Sequence, residues 1–357
     1  METIIRVLTG GRDDVLFYRE AASIIHSGGL VAFPTETVYG LGGDGLDPAA
    51  AKRIYEAKGR PSDNPLILHI AAVSQLKPLV KEIPETARKL MDAFWPGPLT
   101  MILEKSDLVP RETTGGLSTV ALRMPDHPVA SAFLKAADCP IAAPSANLSG
   151  RPSPTNARDV WEDLNGRIPL ILDGGEARIG LESTIVDLST PVPMLLRPGY
   201  YGLPQLRSVL GTVAVDPAVF GMLPDTEHPR APGMKYRHYA PKVPLILVEG
   251  EDEARAAVIR RLAEKGRRTA VLISEETMPL YQDAPDLLLI RLGSRQEPEG
   301  IARRLFTTLR SLDRLPLDLV YSETFEEGQI GEAVMNRLRK AAGFHIIQAG
   351  KGEDADV

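Results

Sequence analysis

The sequence predicts an α/β protein in two parts: an N-terminal mixed, twisted sheet flanked by helices, and a small Rossmann-like parallel α/β C-terminal domain, joined by a Pro-rich linker. Three observations predict it. Short apolar runs alternate with amphipathic stretches through the first part of the chain. Prolines at 217, 224, 229, 232 and 241 then break that rhythm. Beyond 243, apolar runs are mostly separated by helical stretches, as crossover connections require. A chain of 357 residues is also too long for one ordinary core. The expected parts are 1–210, a linker or lid at 211–242, a Rossmann-like domain at 243–350 and a tail at 351–357.

Residues 18–26 read as an amphipathic helix stopped by Gly28-Gly29, and 30–33 as a buried strand ending at Pro34. Asp47-Pro48 supplies an N-cap and a first-turn proline for a helix that Gly59 and Pro61 end, so Lys58 and Arg60 project from its terminus. Strands follow at 66–70, 99–103, 119–123, 140–143, 170–172 and 183–187, with helices at 85–94, 129–136 and 157–164. In the second part, strands at 245–248, 269–273, 287–291, 317–321 and 345–348 are separated by helices at 253–265, 299–312 and 330–342. The connection from 273 to 287 carries no such helix.

Composition is ordinary for a globular protein: 43% hydrophobic and 25% charged residues, with a net charge of −6. That charge disfavours bulk coating of nucleic acid, although a local basic groove fits within it. The single Cys139 forms neither an internal disulfide nor a thiolate metal cluster, and reads as a small packed thiol. Arg6, Arg12, Asp13 and Asp14 interrupt the N-terminal region before any apolar run long enough for a signal peptide, so the cytoplasm is the expected compartment.

The chemistry concentrates in Phe33-Pro34-Thr35-Glu36-Thr37-Val38-Tyr39-Gly40-Leu41, in Lys58-Gly59-Arg60-Pro61 and in Pro144-Ser145-Ala146-Asn147. These place hydroxyls, glycines and cations at the ends of elements, where a polyanion can be held. Gly40 to Gly45 spells G-x-G-x-x-G, but it begins seven residues after Phe33, too far for the tight first turn of a dinucleotide fold, and reads as a glycine-rich connection. With no G-x-x-x-x-G-K-[ST] motif, nucleotide phosphates need scattered groups. Lys58, Arg60, Arg123, Arg151 and Arg197 stand beside Gly or Pro at element ends and suit a triphosphate plus one carboxylate. Thr155 reads as an N-cap that leaves Ser153 to bind a ligand, and His69 is a polar residue in an apolar strand. The histidines show no metal-binding spacing, and a G-x-S-x-G elbow is missing.

On these residues the chain resembles the YrdC-like family, and within it the long, two-domain threonylcarbamoyl-AMP synthases. Lys58-x-Arg60 and Ser145-x-Asn147 match its K-x-R and S-x-N signature. Phe33 to Leu41, Trp95-Pro96-Gly97-Pro98-Leu99-Thr100, Glu182-Ser183-Thr184-Ile185 and Leu196-Arg197-Pro198-Gly199 match as well.

The resemblance implies that L-threonine, bicarbonate or CO2, and ATP become threonylcarbamoyl-adenylate and pyrophosphate, with Mg2+ accompanying the nucleotide. A separate tRNA threonylcarbamoyl-transferase complex would take the product, with at most a weak tRNA contact by this chain. It further implies that Thr37, His69, Arg123, Ala143 and Ser183 hold L-threonine. Arg60, Asn64, Thr119, Ser145, Ser153, Arg197 and linker residue Tyr236 would hold ATP, with Lys58 and Asn147 completing the signature. Lys58 and Arg60 are the expected catalytic cations, and Glu36 is one option for a general base. Two rivals stand beside it. A carbamoyl-phosphate-using maturation factor would bring cysteine-rich zinc modules, which one cysteine excludes; a non-catalytic RNA-binding module would show salt-dependent tRNA binding alone.

Overall fold

The computed structural model describes residues 2–221, 227–235, 238–263, 267–325, 328 and 330–350. The chain divides into two compact units, Met1–Ser149 with Ser153–Tyr236, and Gly150–Pro152 with Arg237–Val357.

The first unit runs β1 (Ile4–Val7), α1 (Asp14–His26), β2 (Val31–Phe33), β3 (Gly40–Asp44), α2 (Pro48–Lys58), β4 (Ile67–His69), α3 (Glu85–Phe94), β5 (Leu99–Glu104) and β6 (Thr119–Arg123). It continues with α4 (Pro128–Ala137), β7 (Ile141–Ala142), α5 (Ala157–Leu164), β8 (Leu170–Asp173), β9 (Thr184–Asp187), β10 (Met194–Arg197), α6 (Leu203–Leu210) and β11 (Ala214–Val215). Among the described residues these strands form one mixed sheet in the order β1-β8-β2-β3-β7-β4-β6-β5-β9-β10-β11.

Strand periodicity sorts its core onto two faces. Leu99, Met101, Leu103, Val120, Leu122 and Val186 join the large cluster that packs against helices α2, α3 and α5. Their neighbours Ile67, Ile102, Ala121 and Ile185 point the other way, where Ala218, Ala231 and Met234 cover them. At the β2–β8 end that second layer is helical instead: Ala21 and Ile25 of α1 and Phe133 and Leu134 of α4 pack on Phe33 and Leu170.

Two segments differ from expectation. The glycine-rich stretch read as a connection is strand β3, antiparallel to both β2 and β7. Its glycines serve close packing: a Cβ on Gly42 would lie 2.7 Å from Ile141 Cγ2. Of the segment read as a linker, β11, a short 3-10 turn at Pro217–Val219 and residues 227–235 stay with the first unit.

The second unit contains β12 (Leu245–Glu249), α7 (Asp252–Ala263), β13 (Thr269–Ser274), β14 (Leu287–Gly293), α8 (Pro298–Leu312), β15 (Leu319–Glu323), α9 (Ile330–Ala341) and β16 (Ile346–Gln348). Its sheet order is β14-β13-β15-β12-β16, with every pairing parallel. Buried Glu323 at the end of β15 accepts hydrogen bonds from Thr277 Oγ1 (2.6 Å) and Tyr281 OH (2.9 Å). Among the described residues no helix is long and apolar enough to cross a membrane.

Candidate active site

Helix α2 begins as its sequence dictates: Asp47 accepts hydrogen bonds from Ala49 N (2.8 Å) and Ala50 N (3.1 Å), and Pro48 opens the first turn. It ends on Gly59 with φ 60°, where Gly59 N donates to Glu56 O and Arg60 N to Tyr55 O, a Schellman closure. That closure aims the last helical residue inward. Lys58 is 2% exposed, and its ammonium donates to the carbonyls of Ser145 and Asn147, each at 2.5 Å. The two halves of the signature are therefore tied together by a charge on backbone oxygens. Arg60 likewise donates to Asn64 O (3.3 Å) and Pro65 O (3.1 Å). Both cations hold loops.

The S-x-N loop follows β7, with Ser145 Oγ donating to Asn147 Oδ1 at 2.5 Å and Asn147 Nδ2 to Leu148 O at 2.8 Å. Ala143, at its entrance, is buried, and its N–H donates to Ile67 O.

Strands β4 and β6 run parallel in a register that sets His69 opposite Arg123. His69 and Arg123 mark one end of this pair. Thr119 lies at the other end of β6, roughly 13 Å away at about 3.3 Å per residue. Thr119, Ala121 and Arg123 share the face that carries Ile67 and His69. His69 is buried, with Nδ1 3.2 Å from Ile67 O. Burial first, then the Arg123 guanidinium, pushes its imidazole down to about 3, so it is neutral at physiological pH.

Thr100 pairs with Arg123 across the β5–β6 ladder and shares a 2.8 Å hydrogen bond with Ser183. Ser183 in turn receives Arg197 Nη2 at 3.1 Å, while Arg197 Nε donates to Ser183 O at 3.0 Å. A register shift between Leu195 and Arg197 sets Arg197 opposite Ile185 and so turns it to this face. Arg197 also donates to Pro232 O at 3.4 Å. Residue 230 anchors the same segment: Arg230 pairs with Asp187 at 3.0 Å and with Asp216.

The loop between β2 and β3 is held by its own hydroxyls. Thr35 Oγ1 donates to Val38 O (2.7 Å) and accepts from Thr37 N (3.2 Å), and Thr37 is fully buried. Tyr39 OH anchors the far side by donating to Gly175 O at 2.6 Å. Glu36, between these threonines, lies 2.7 Å from Arg123 Nη2.

One expectation needs correction: the cap of α5 is Asn156, not Thr155. Ser153 Oγ donates to Glu182 Oε1 at 2.5 Å. Arg151 groups with the second unit, where it pairs with Asp313 at 3.5 Å. Tyr236 lies outside the described residues. Cys139 is half-buried and its thiol is pushed up to about 12 by burial, consistent with packing. Sequence reasoning gave no role to Thr100 or Glu182, although both stand in motifs it singled out.

The family model described as "Telomere recombination" matches residues 23–199, and that of the threonylcarbamoyl-AMP synthase C-terminal domain matches 203–343. The chain is 52% identical to the threonylcarbamoyl-AMP synthase of Pyrococcus abyssi, over 92% of this chain and 95% of the relative. It is 48% identical to that of Bacillus subtilis, over 92% and 94%. A crystal structure of P. abyssi Sua5 complexed with L-threonine superposes with a TM-score of 0.90 at 50% identity, covering 97% of this chain and 100% of that one.

Proposed function

The chain belongs to the threonylcarbamoyl-AMP synthase family, and we propose that it is an L-threonylcarbamoyladenylate synthase, joining L-threonine, bicarbonate or CO2 and ATP into threonylcarbamoyl-AMP with release of pyrophosphate. The observation that carries this reading is the hydrogen-bonded chain Arg197–Ser183–Thr100, laddered to Arg123 and His69, on one face of the first unit's sheet.

Arg123 suits the amino acid's carboxylate. Neutral His69 and Ser183 offer hydrogen-bond partners for its hydroxyl, which a substrate lacking that group would leave unpaired. Thr37 and the backbone around Ala143 complete the amino-acid end. Arg60, Asn64, Thr119, Ser145, Asn147, Ser153 and Arg197 supply donors and cations for the nucleotide, with Lys58 fixing the loop that presents Ser145 and Asn147.

Displacement at the α-phosphorus by a carbamate oxygen needs alignment and neutralisation of spreading negative charge more than covalent help. Mg2+ would accompany ATP on its phosphate oxygens. Carbamate and adenylate both decompose in water, and the segment carrying Arg230, Ala231 and Met234 is the proposed cover. The product would pass to a separate cytoplasmic transferase that modifies tRNA adenosine to N6-threonylcarbamoyladenosine, with any contact of this chain to tRNA weak.

The test follows labelled bicarbonate into an acid-labile adenylate. Label appears with ATP plus L-threonine, falls about 10-fold or more with serine, and is lost in Arg60→Ala. Label that does not depend on threonine, or salt-dependent tRNA binding with no adenylate, contradicts the reading.

A further inference from the structure

Glu36 is 1% exposed, yet neither of its carboxylate oxygens receives a hydrogen bond from the described residues. Arg123 Nη2 lies 2.7 Å from Oε1, but its N–H is not directed at it, and that same Nη2 is also left without a hydrogen bond. A purely structural buried ion pair is stable only when geometry and additional hydrogen bonds satisfy both partners. Here the backbone is firmly held, since Ile179 N donates to Glu36 O at 2.8 Å and the flanking threonines fix the turn. The carboxylate is thus positioned by a rigid loop while its own bonding capacity is unspent. Its charge also reaches His127, held low by burial, and Tyr201, held high by burial, and neither satisfies it.

An α-amino acid zwitterion is complementary to this pair. Its carboxylate supplies an acceptor for Arg123 Nη2, while Nε already donates to Gly97 O at 3.5 Å, and its ammonium supplies up to three donors for the two oxygens of Glu36. We propose that Glu36 recognises the α-ammonium of the amino-acid substrate, exchanging its contact with Arg123 for one with the ligand. This rests on the reading that L-threonine binds beside Arg123. It gives the site a way to distinguish an amino acid from a hydroxy acid of the same shape, in addition to reading the side-chain hydroxyl.

Calorimetric binding to the full chain tests this with two ligands, L-threonine and 3-hydroxybutyrate, which has the same carbon frame without the ammonium. Glu36→Gln is expected to weaken L-threonine by about 10- to 100-fold while leaving 3-hydroxybutyrate nearly unchanged. Glu36→Asp, which keeps the charge one methylene back, retains part of the preference for L-threonine. Equal weakening of both ligands would mean that Glu36 acts only through Arg123 and overturns the proposal, as would unchanged L-threonine affinity. Thermal unfolding checks that Glu36→Gln is folded. If it is not, Glu36→Asp decides: a fall confined to L-threonine supports the proposal, and a fall shared by both ligands overturns it. Failure of the wild-type chain to bind L-threonine at all would instead remove the underlying reading.

Discussion

Lys58 carries a positive charge into the interior and rests it on two carbonyls, 87 and 89 residues further along the chain. Removing it leaves both oxygens without that donor, so Lys58→Met is expected to cost about 1–3 kcal/mol of stability and to loosen the Ser145 loop, measured by denaturant unfolding alongside adenylate yield. His69 makes an opposite wager with charge. Its folded-state imidazole sits at about 3 against an unfolded value of 6.5, so the folded protein binds fewer protons than the unfolded chain in that interval. Stability from this group is therefore intact above about pH 6.5 and falls by up to about 1.4 kcal/mol per pH unit toward pH 3. His69→Asn is expected to flatten the acid limb of a stability–pH curve measured by unfolding. A limb of unchanged slope would contradict the assignment. The contacts of Lys58 were not legible in the sequence, because its partners are backbone oxygens, which have no residue signature. The approach of Glu36 to Arg123 was equally hidden, since it depends on a loop crossing the sheet.

Among the elements, what could be read in advance was what obeys local rules. Helix α2 announces both its ends with Asp47-Pro48 and Gly59, and β6 and the helices at 85–94 and 157–164 fall where periodicity and breakers placed them. Strand β3 escaped because glycines conceal a strand whose side chains are absent for packing reasons. β10 was not singled out as a strand, and its register shift was invisible before its pairing with β9 was known. Glycine also governs the Arg197 turn. A Cβ on Gly199 would lie 2.4 Å from Thr184 N, so the chain there fits only a bare backbone. Gly199→Ala is expected to destabilise by about 1–3 kcal/mol and to displace Arg197 from Ser183, read as a rise in the KM for ATP. Unchanged stability and kinetics would show that the turn tolerates the methyl group.

For the whole molecule, the division into two units was signalled by length and by the proline-rich interruption, but not the way residues 227–235 remain with the first unit through Ala231 and Met234. The second unit has its own polar core. Glu323 is fully buried and takes hydrogen bonds from Thr277, Tyr281 and Ser274 N, with Arg255 and Arg295 nearby. Truncating it leaves Thr277, Tyr281 and Ser274 N without their acceptor, while both arginines keep Asp252, so Glu323→Ala is expected to cost the second unit about 1–3 kcal/mol while L-threonine still binds the first, compared by calorimetry and hydrogen exchange.

The central claim is that one sheet face of the first unit seats an amino acid and a nucleoside triphosphate together. Exchange of labelled pyrophosphate into ATP tests it most directly, because the adenylate must form and reverse on the protein. The account predicts exchange that requires both L-threonine and bicarbonate and disappears in Arg123→Ala. Exchange that proceeds without L-threonine, or persists in Arg123→Ala, would contradict it.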